Sequence, residues 1–276
     1  MTDDLKRLLQ TATTAARLGG EVLLHHASNG VTIRDKTDSG EATYNLVSDA
    51  DLESEQVIAE FLRTRYPEHH ILGEEELAST DPSAPHLWII DPLDGTNNYA
   101  HGLQQYAVSI AYYHQGEPIV GAIYCPPHDE MFRAVTGRGA FRGQMRVRVS
   151  KYNSLDKCLI GCGFYYDRGE MMRSTLGAIE DFFQSDIHGI RRFGTASLDL
   201  CMVGCGQFGG FFEYQLAPWD YAAGRLFIEE AGGRVTTTQG GPLPIAKTSI
   251  VASNGEIHEA MLAITRRHQP HGLAKP

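Results

Sequence analysis

Residues 88–97 of the chain read WIIDPLDGTN, a short apolar run that leads into two aspartates. The apolar residues predict a buried strand, which would deliver Asp91 to the end of a sheet, where ligands tend to bind. The proline between the aspartates fixes its own φ angle, so we expect a rigid turn from Asp91 to Asp94. Two carboxylates spaced in this way can converge on one hard cation. The amides of Gly95 and Thr96 would then face an anion at a helix start.

Other acidic clusters help to decide whether that turn binds a ligand, because a purely structural turn capped by aspartate would have the same sequence. The segment GEEE at 73–76 follows a predicted strand, and Asp49 and Asp51 open a predicted helix. Asp220 lies in the first turn of a predicted C-terminal helix. Each cluster alone fits a solvated loop or a favourable helix terminus. Four clusters at strand ends and helix starts together favour one shared site for divalent cations.

The composition is that of a globular protein with an acidic surface. The chain has 276 residues, 42% of them hydrophobic and 21% charged, and a formal net charge of −10 at pH 7. Because this charge repels phosphate backbones and no basic run is present, we expect no nucleic-acid partner. The acidic first ten residues do not resemble a secretory signal, and no stretch reaches the roughly 18 apolar residues of a membrane helix. We therefore expect a soluble cytoplasmic protein without membrane association.

The five cysteines could be read in two ways. An odd number in a chain of this length suggests free thiols in a reducing cytoplasm. Cys158 and Cys162, like Cys201 and Cys205, are four residues apart, which also suggests zinc ligands. Their apolar and glycine neighbours favour buried thiols that behave as small hydrophobic residues. We favour the buried thiols over a zinc site.

The periodicity of the chain predicts an α+β fold. An amphipathic helix at the N-terminus and a second helix over 49–65 precede an antiparallel meander over 106–150. Helices and strands alternate afterwards, and Ser253 with Glu256 forms a capping-box pattern that predicts the start of the last helix. The pattern of predicted strands and helices changes without a flexible linker between the two parts, so we predict two packed subdomains. Residues 1–150 would carry most metal ligands, and residues 151–276 would carry the remainder.

The motifs, in this order, resemble the inositol monophosphatase family within the wider superfamily of lithium-sensitive, metal-dependent phosphatases. The matching segments are GEE at 73–75, DPLDGTN at 91–97, GTAS at 194–197, WDYAAG at 219–224 and AGG at 231–233. The resemblance extends from the first helix to about residue 252. It implies a layered α-β-α-β-α sandwich of the inositol monophosphatase and fructose-1,6-bisphosphatase type. It also implies a Mg²⁺-dependent phosphomonoesterase.

The resemblance further implies a set of metal ligands. Glu74 and Asp91, with the backbone carbonyl of Leu93, would bind one Mg²⁺. Asp91, Asp94 and Asp220 would bind a second, and a third, weaker ion is expected near Glu74 in some family members. Oxygen ligands of this kind suit Mg²⁺, which keeps several waters beside substrate phosphate oxygens.

By the same resemblance, Thr96 would orient the attacking water and help to deprotonate it, with Asp51 behind it and Glu74 beside it. Glu213 matches a position that contacts the hydroxyl groups of the sugar alcohol. The residues expected to contact the substrate are Asp94, Gly95, Thr96, Ala196 and Glu213.

The implied reaction is hydrolysis of myo-inositol monophosphates to inositol and phosphate by metal-activated water. Departures from the family pattern at Gln104, at 163–168 and in the long stretch 36–51 leave the leaving group open. The alternatives with the same chemistry are fructose 1,6-bisphosphate, a 3′-phosphoadenosine nucleotide and histidinol phosphate. His101-Gly102 and Glu213 favour a phosphorylated polyol, because a carboxylate accepts hydrogen bonds from polyol hydroxyls and repels a second phosphate.

A function of another class is also open, namely a regulatory or transcription-complex binding protein that uses this fold. The intact set of carboxylates argues against a scaffold without activity, because clustered acids destabilise a protein that binds no cation. The resemblance finally implies a homodimer and inhibition by Li⁺.

Overall fold

The computed structural model describes residues 3–29, 33–35 and 46–271. Of the long stretch 36–51, residues 36–45 therefore lie outside the described residues. In the described residues the α-helices are α1 (Asp3–Asn29), α2 (Asp49–Arg65), α3 (Thr96–Ala100), α4 (Glu170–Gln184), α5 (Ala196–Gly204), α6 (Pro218–Glu230) and α7 (His258–Arg267). The strands of the same residues are β1 (Ile33–Asp35), β2 (Leu46–Ser48), β3 (His70–Leu72), β4 (His86–Asp94), β5 (Ala107–His114), β6 (Glu117–Cys125), β7 (Glu130–Val135), β8 (Gly139–Arg142), β9 (Met145–Val147), β10 (Leu159–Cys162), β11 (Gly189–Arg191), β12 (Gly210–Leu216), β13 (Arg234–Thr236) and β14 (Thr248–Ser253).

Two large sheets organise the chain. The first has seven strands in sequential order from β3 to β9, with β3 parallel to β4 and every later pair antiparallel. The meander predicted over 106–150 is therefore confirmed. The second sheet has the order β11-β10-β12-β14-β13, with parallel pairs around β10 and antiparallel pairs around β14. The short strands β1 and β2 form an antiparallel pair of their own.

Alternating side chains on the strands bury both faces of each sheet. On β4, Trp88 and Ile90 pack with α1 and α2, while Leu87 and Ile89 pack with α5 and α6. A strand points successive side chains to opposite faces, so a strand covered on both faces reads as the continuous apolar run seen in the sequence. The first sheet thus lies between two helical layers.

The second sheet repeats this arrangement on the far side of α5 and α6. Phe211 on β12 packs against these two helices, while Phe212, the next residue, packs against α4 and α7. The layers are therefore α1 with α2, the seven-stranded sheet, α5 with α6, the five-stranded sheet, and α4 with α7. This order confirms the predicted layered α-β-α-β-α fold. The division into subdomains at residue 150 stays a prediction.

Two local predictions were wrong. The residues between Asp91 and Asp94 do not leave the sheet in a turn: they stay in β4 and form a bulge, because Asp91 pairs with Ser109 and Asp94 with Ala107. An extra residue in a paired strand bends it and re-aims its side chains. The last helix begins at His258, because β14 continues through Ser253. The Ser253 hydroxyl group contacts the His258 imidazole and the Gly255 amide.

No helix of the described residues combines the length and the apolar character that a membrane crossing requires.

The central helical layer should carry much of the stability, because it contacts both sheets. The Phe227 ring on α6 is buried and packs edge-on against Phe132 of the first sheet, with ring centroids 5.8 Å apart. We expect Phe227→Ala to lower the free energy of unfolding by about 3–5 kcal/mol. Phe183→Ala is the matched control, because Phe183 is 54% exposed. Urea denaturation measures both values, and equal losses would contradict this packing.

Candidate active site

A cavity of about 440 Å³ opens where β4 ends beside the first turns of α5 and α6. Its volume is within the range of small-molecule sites. Every residue predicted to touch metal or substrate lines it, namely Glu74, Asp91, Leu93, Asp94, Gly95, Thr96, Ala196, Glu213 and Asp220. Asp51 does not line the cavity and lies fully buried behind Thr96.

Three aspartates form the centre of this site. Asp91, Asp94 and Asp220 each offer a carboxylate oxygen, and these oxygens lie within 4.8 Å of one another. Within the described residues no other set of acidic, histidine or cysteine side chains meets in this way. Glu74 lines the same cavity from the loop after β3 but is outside the group of three. The structure therefore brings Asp91, Asp94 and Asp220 together, and Glu74 lines the same cavity outside that group.

Backbone amides hold two of these carboxylates in place. The Ala196 and Ser197 amides at the start of α5 donate to the two Asp94 oxygens at 3.2 and 2.6 Å. The Ala217 amide before α6 donates to Asp220 at 2.7 Å. The first amides of a helix lack partners within the helix and carry a partial positive charge, so each helix start stabilises its carboxylate.

Asp91 is the least satisfied member of the group. One of its oxygens accepts a hydrogen bond from the Leu93 amide at 3.0 Å, within the bulge of β4. The other oxygen is buried and has no hydrogen-bond partner among the described residues. A buried carboxylate oxygen without a donor is costly. The residues present therefore fit a divalent cation, which would satisfy this oxygen.

The pKa values of Asp91 and Asp94 also indicate that negative charge is unfavourable in the site when no cation is bound. Burial raises the pKa of Asp91 well above its ordinary range, and the charges of Glu74, Asp94 and Asp220 raise it further. Burial also raises the pKa of Asp94 to about 6, although hydrogen bonds from Ser197 and Ala196 lower it. Oxygen donors with neighbouring negative charges are the ligands that Mg²⁺ and Ca²⁺ prefer.

Thr96 connects the cavity to α2. Its hydroxyl group lies 3.2 Å from an Asp51 oxygen and 3.1 Å from the Leu93 carbonyl oxygen. The Ser54 hydroxyl, one turn along α2 from Asp51, donates to the Pro92 carbonyl oxygen at 3.1 Å. The buried face of α2 therefore fixes both the bulge of β4 and the hydroxyl group that faces the metal ligands.

Glu55 is a residue of this site that the sequence prediction missed. It is buried, and its two carboxylate oxygens accept hydrogen bonds from the Glu75 and Glu76 amides at 2.9 and 2.7 Å. These contacts hold the loop that presents Glu74. The available signal was its spacing of four residues from Asp51, which places both acids on one face of α2.

The cavity also contains Glu213, which is buried on β12. Its carboxylate lies directly against Gly163, where any Cβ atom would overlap it. Burial raises the pKa of Glu213 well above its ordinary value, Asp220 raises it further, and Arg192 lowers it. Among the departures from the family pattern, Tyr165 and Tyr166 line the cavity, whereas Gln104 is exposed and does not line it.

The cysteines behave as buried thiols. All five are free, four are buried and Cys205 is partly so, and none belongs to a group of metal-ligating side chains within the described residues. Burial raises the pKa of Cys162 to about 12, so this thiol stays protonated at neutral pH. The cysteines are therefore free and mostly buried thiols, as predicted.

Comparison with known proteins extends these observations. The model of the inositol monophosphatase family matches residues 4–270. SuhB of Neisseria meningitidis serogroup B is 42% identical over 260 residues, which cover 94% of this chain and 98% of that protein. The Nus factor SuhB of Pseudomonas aeruginosa is 36% identical over 98% of this chain and 100% of its own. An inositol-1-monophosphatase of Synechocystis sp. is 37% identical over 94% of this chain and 88% of its own.

Two solved structures share the whole fold. The inositol monophosphatase of Anabaena (Nostoc) sp. superposes with a TM-score of 0.83 at 38% identity, covering 97% of this chain and 98% of that chain. An inositol monophosphatase/NADP phosphatase complexed with Mg²⁺ and phosphate superposes with a TM-score of 0.84 at 27% identity, covering 95% and 96%.

The repulsion among the carboxylates should lower stability in the absence of metal. The pKa values of Asp91 and Asp94 are raised in the folded protein, so protonation of these two carboxylates stabilises the fold at low pH, and this contribution is lost as the pH rises through about 6 for Asp94. In EDTA at pH 7.5 we expect Asp91→Asn to raise the unfolding free energy by about 1 kcal/mol or more, and by less at pH 5.

Thermal unfolding measures this effect, and Mg²⁺ should stabilise the wild type more than the variant. Asp156→Asn, at an exposed position, is the control and should change neither profile. A variant less stable than the wild type in EDTA would contradict the repulsion.

Proposed function

The chain belongs to the inositol monophosphatase family, and on that premise we propose that it is a Mg²⁺-dependent phosphomonoesterase that hydrolyses myo-inositol monophosphates. The single observation that supports this most strongly is the group of Asp91, Asp94 and Asp220, with a buried Asp91 oxygen that lacks a donor in the described chain. Hydrolysis of a phosphate ester needs charge neutralisation on the phosphoryl oxygens and an in-line water.

Five groups would hold the cations. Glu74, Asp91 and the Leu93 carbonyl oxygen would bind one Mg²⁺, and Asp91, Asp94 and Asp220 would bind a second, with a third, weaker ion near Glu74. Bound Mg²⁺ would supply charge neutralisation at the phosphoryl group and lower the pKa of water. The negative charges that raise the pKa of Asp91 are the charges that such ions would balance.

The chain's own residues would position the water. The Thr96 hydroxyl lies within reach of the Asp51 carboxylate, so it can donate a hydrogen bond to Asp51 and accept one from a water. Glu74, at the edge of the group, would accept the proton that the water loses. Asp51 is fully buried, which makes it suited to fixing the direction of the Thr96 hydroxyl group.

The phosphate and the alcohol would occupy neighbouring parts of the cavity. The Gly95 and Thr96 amides would donate to the phosphate, beside Asp94. Gly95 has a φ of 95°, and a Cβ atom there would lie 2.5 Å from the Thr195 hydroxyl oxygen, so glycine is required. Glu213 and Ala196 would contact the hydroxyl groups of the alcohol.

The proposed substrate class follows from the acidic lining of the cavity. The alternative substrates for the same chemistry are fructose 1,6-bisphosphate, a 3′-phosphoadenosine nucleotide and histidinol phosphate. By family resemblance we also expect a homodimer, inhibition by Li⁺ and a cytoplasmic location. A second function, binding to a transcription complex, is favoured by one observation: relatives 42% and 36% identical to this chain are SuhB proteins, and both of their names include Nus factor. The two functions are compatible, because the cavity occupies only one edge of the fold.

Removing one ligand should abolish hydrolysis. We expect Mg²⁺-dependent phosphate release from myo-inositol 1-phosphate, and an Asp91→Asn variant at least about 100-fold less active, because the metal site loses a shared carboxylate. A colorimetric phosphate assay on a panel of phosphorylated polyols, sugars, nucleotides and histidinol phosphate measures both. Wild-type protein that is as inactive as the variant on every ester would exclude the enzyme function.

Thr96 should affect turnover more than substrate binding. We expect Thr96→Ala to lower kcat by about 100-fold with a small change in KM, because positioned proton acceptors contribute about that much. Thr96→Ser keeps the hydroxyl group and should stay within about tenfold of the wild type by the same argument. Steady-state kinetics measure the split, and equal activity of the alanine and serine variants would contradict the role of the hydroxyl group.

A further inference from the structure

A further buried carboxylate lines the cavity that contains Glu213. Asp199 lies on α5, lines the cavity and is only 1% exposed. Its Oδ1 atom is buried and has no hydrogen-bond partner among the described residues. Neither the sequence prediction nor the proposed metal ligands account for this residue.

The contacts of Asp199 do not explain its presence. It is outside the group formed by Asp91, Asp94 and Asp220, so it is not placed as a ligand of the same ion. Its own backbone amide donates to Thr195 within the helix, and no ion pair involves its side chain in the described residues. An apolar residue of similar size would avoid the cost of burying an acceptor without a donor. The side chain is therefore suited to an acceptor role toward a molecule in the cavity.

Arg192 balances part of the negative charge in the cavity. Its guanidinium group lies where a Cβ atom of residue 194 would be, so Gly194, with a φ of 80°, leaves the space for it. Burial raises the pKa values of both Asp199 and Glu213, the charge of Asp94 raises the pKa of Asp199 further, the charge of Asp220 raises the pKa of Glu213 further, and the charge of Arg192 lowers both. The cavity thus offers buried acceptors together with two exposed cations, Arg192 and Lys247.

From this geometry we propose that Asp199 is a specificity-determining residue that accepts a hydrogen bond from a hydroxyl group of the leaving alcohol, beside Glu213. The inference rests on the proposed phosphatase function and deepens it. The substrate class is a phosphate monoester of an uncharged polyol that has at least two free hydroxyl groups near the ester. A second phosphate would face two carboxylates, and like charges placed together reject a wrong ligand.

The test separates recognition of the alcohol from hydrolysis of the ester. The substrates are myo-inositol 1-phosphate and phenyl phosphate, whose leaving group has no further hydroxyl. The variants are Asp199→Asn, which keeps the shape of the side chain, Glu213→Gln and the double variant. The exposed Asp156→Asn is the control for the loss of one charge. Circular dichroism and thermal unfolding verify that each variant folds.

We expect Asp199→Asn to lower kcat/KM on myo-inositol 1-phosphate by about 10-fold to 100-fold, the usual contribution of a hydrogen bond to a charged group. Activity on phenyl phosphate should change by less than about threefold, because no hydrogen bond of this kind is lost. Glu213→Gln should have the same effect on kcat/KM. The kcat/KM of the double variant should fall by less than the product of the two single losses, because both residues orient one alcohol. Calorimetric titration of myo-inositol 1-phosphate with Ca²⁺ in place of Mg²⁺ should show weaker binding by Asp199→Asn.

Unchanged kcat/KM and unchanged binding for Asp199→Asn, with an active wild type, would overturn this inference and leave the proposed function standing. Equal losses on both esters would also overturn it, because they would show a structural role or a role at the metals. A wild type active on phenyl phosphate alone would exclude the polyol substrate class together with the inference. A wild type inactive on both esters would contradict the proposed function itself.

Discussion

The crowding of three carboxylates, two of them buried, is the constraint on which this molecule depends. Carboxylate oxygens of Asp91, Asp94 and Asp220 lie within 4.8 Å of one another, and burial raises the pKa values of Asp91 and Asp94. Hydrogen-bond donors whose positions are fixed by secondary structure stabilise these carboxylates. The starts of α5 and α6 direct backbone amides at Asp94 and Asp220, and the bulge of β4 supplies the Leu93 amide to Asp91. What remains unsatisfied is one Asp91 oxygen, and a cation is the partner that completes the site.

The layered fold makes this convergence possible. The central layer of α5 and α6 lies between the two sheets, and both of its helices start at the edge where β4 ends. On the other face of the first sheet, α2 supports the same edge through Ser54, Asp51 and Glu55. The ligands therefore rest on packed helices and strands, which fixes their positions better than loops would.

Apolar periodicity predicted the meander, the family resemblance implied the layers, and acidic residues at element ends indicated a shared site, because each of these is a signal carried by a short segment of sequence. Long-range support was not predictable in this way. The hydrogen bonds from α5 to Asp94 span more than 100 residues, and nothing in either segment alone indicates them. The bulge of β4 looked like a turn, because a proline between two aspartates is compatible with both and only the pairing with β5 decides. Glu55 and Asp199 looked like ordinary helix residues, since their burial depends on the packing of whole layers.

One helix, α5, contacts the group of aspartates and lines the cavity. Its first amides donate to Asp94, and Asp199, within the next turn, lines the same cavity as Glu213. A helix is rigid over one turn, so the distance between the charge-neutralising centre and the acceptor groups is set by backbone geometry. An alcohol held by the acceptors is therefore also held at a fixed distance from the carboxylates that would bind metal. Such positioning converts recognition of the leaving group into a correct orientation for reaction. Within the proposed function, the same rigidity keeps Asp199 at a constant separation from Asp94, so the carboxylate that would bind a cation and the carboxylate that would accept from an alcohol hold fixed relative positions.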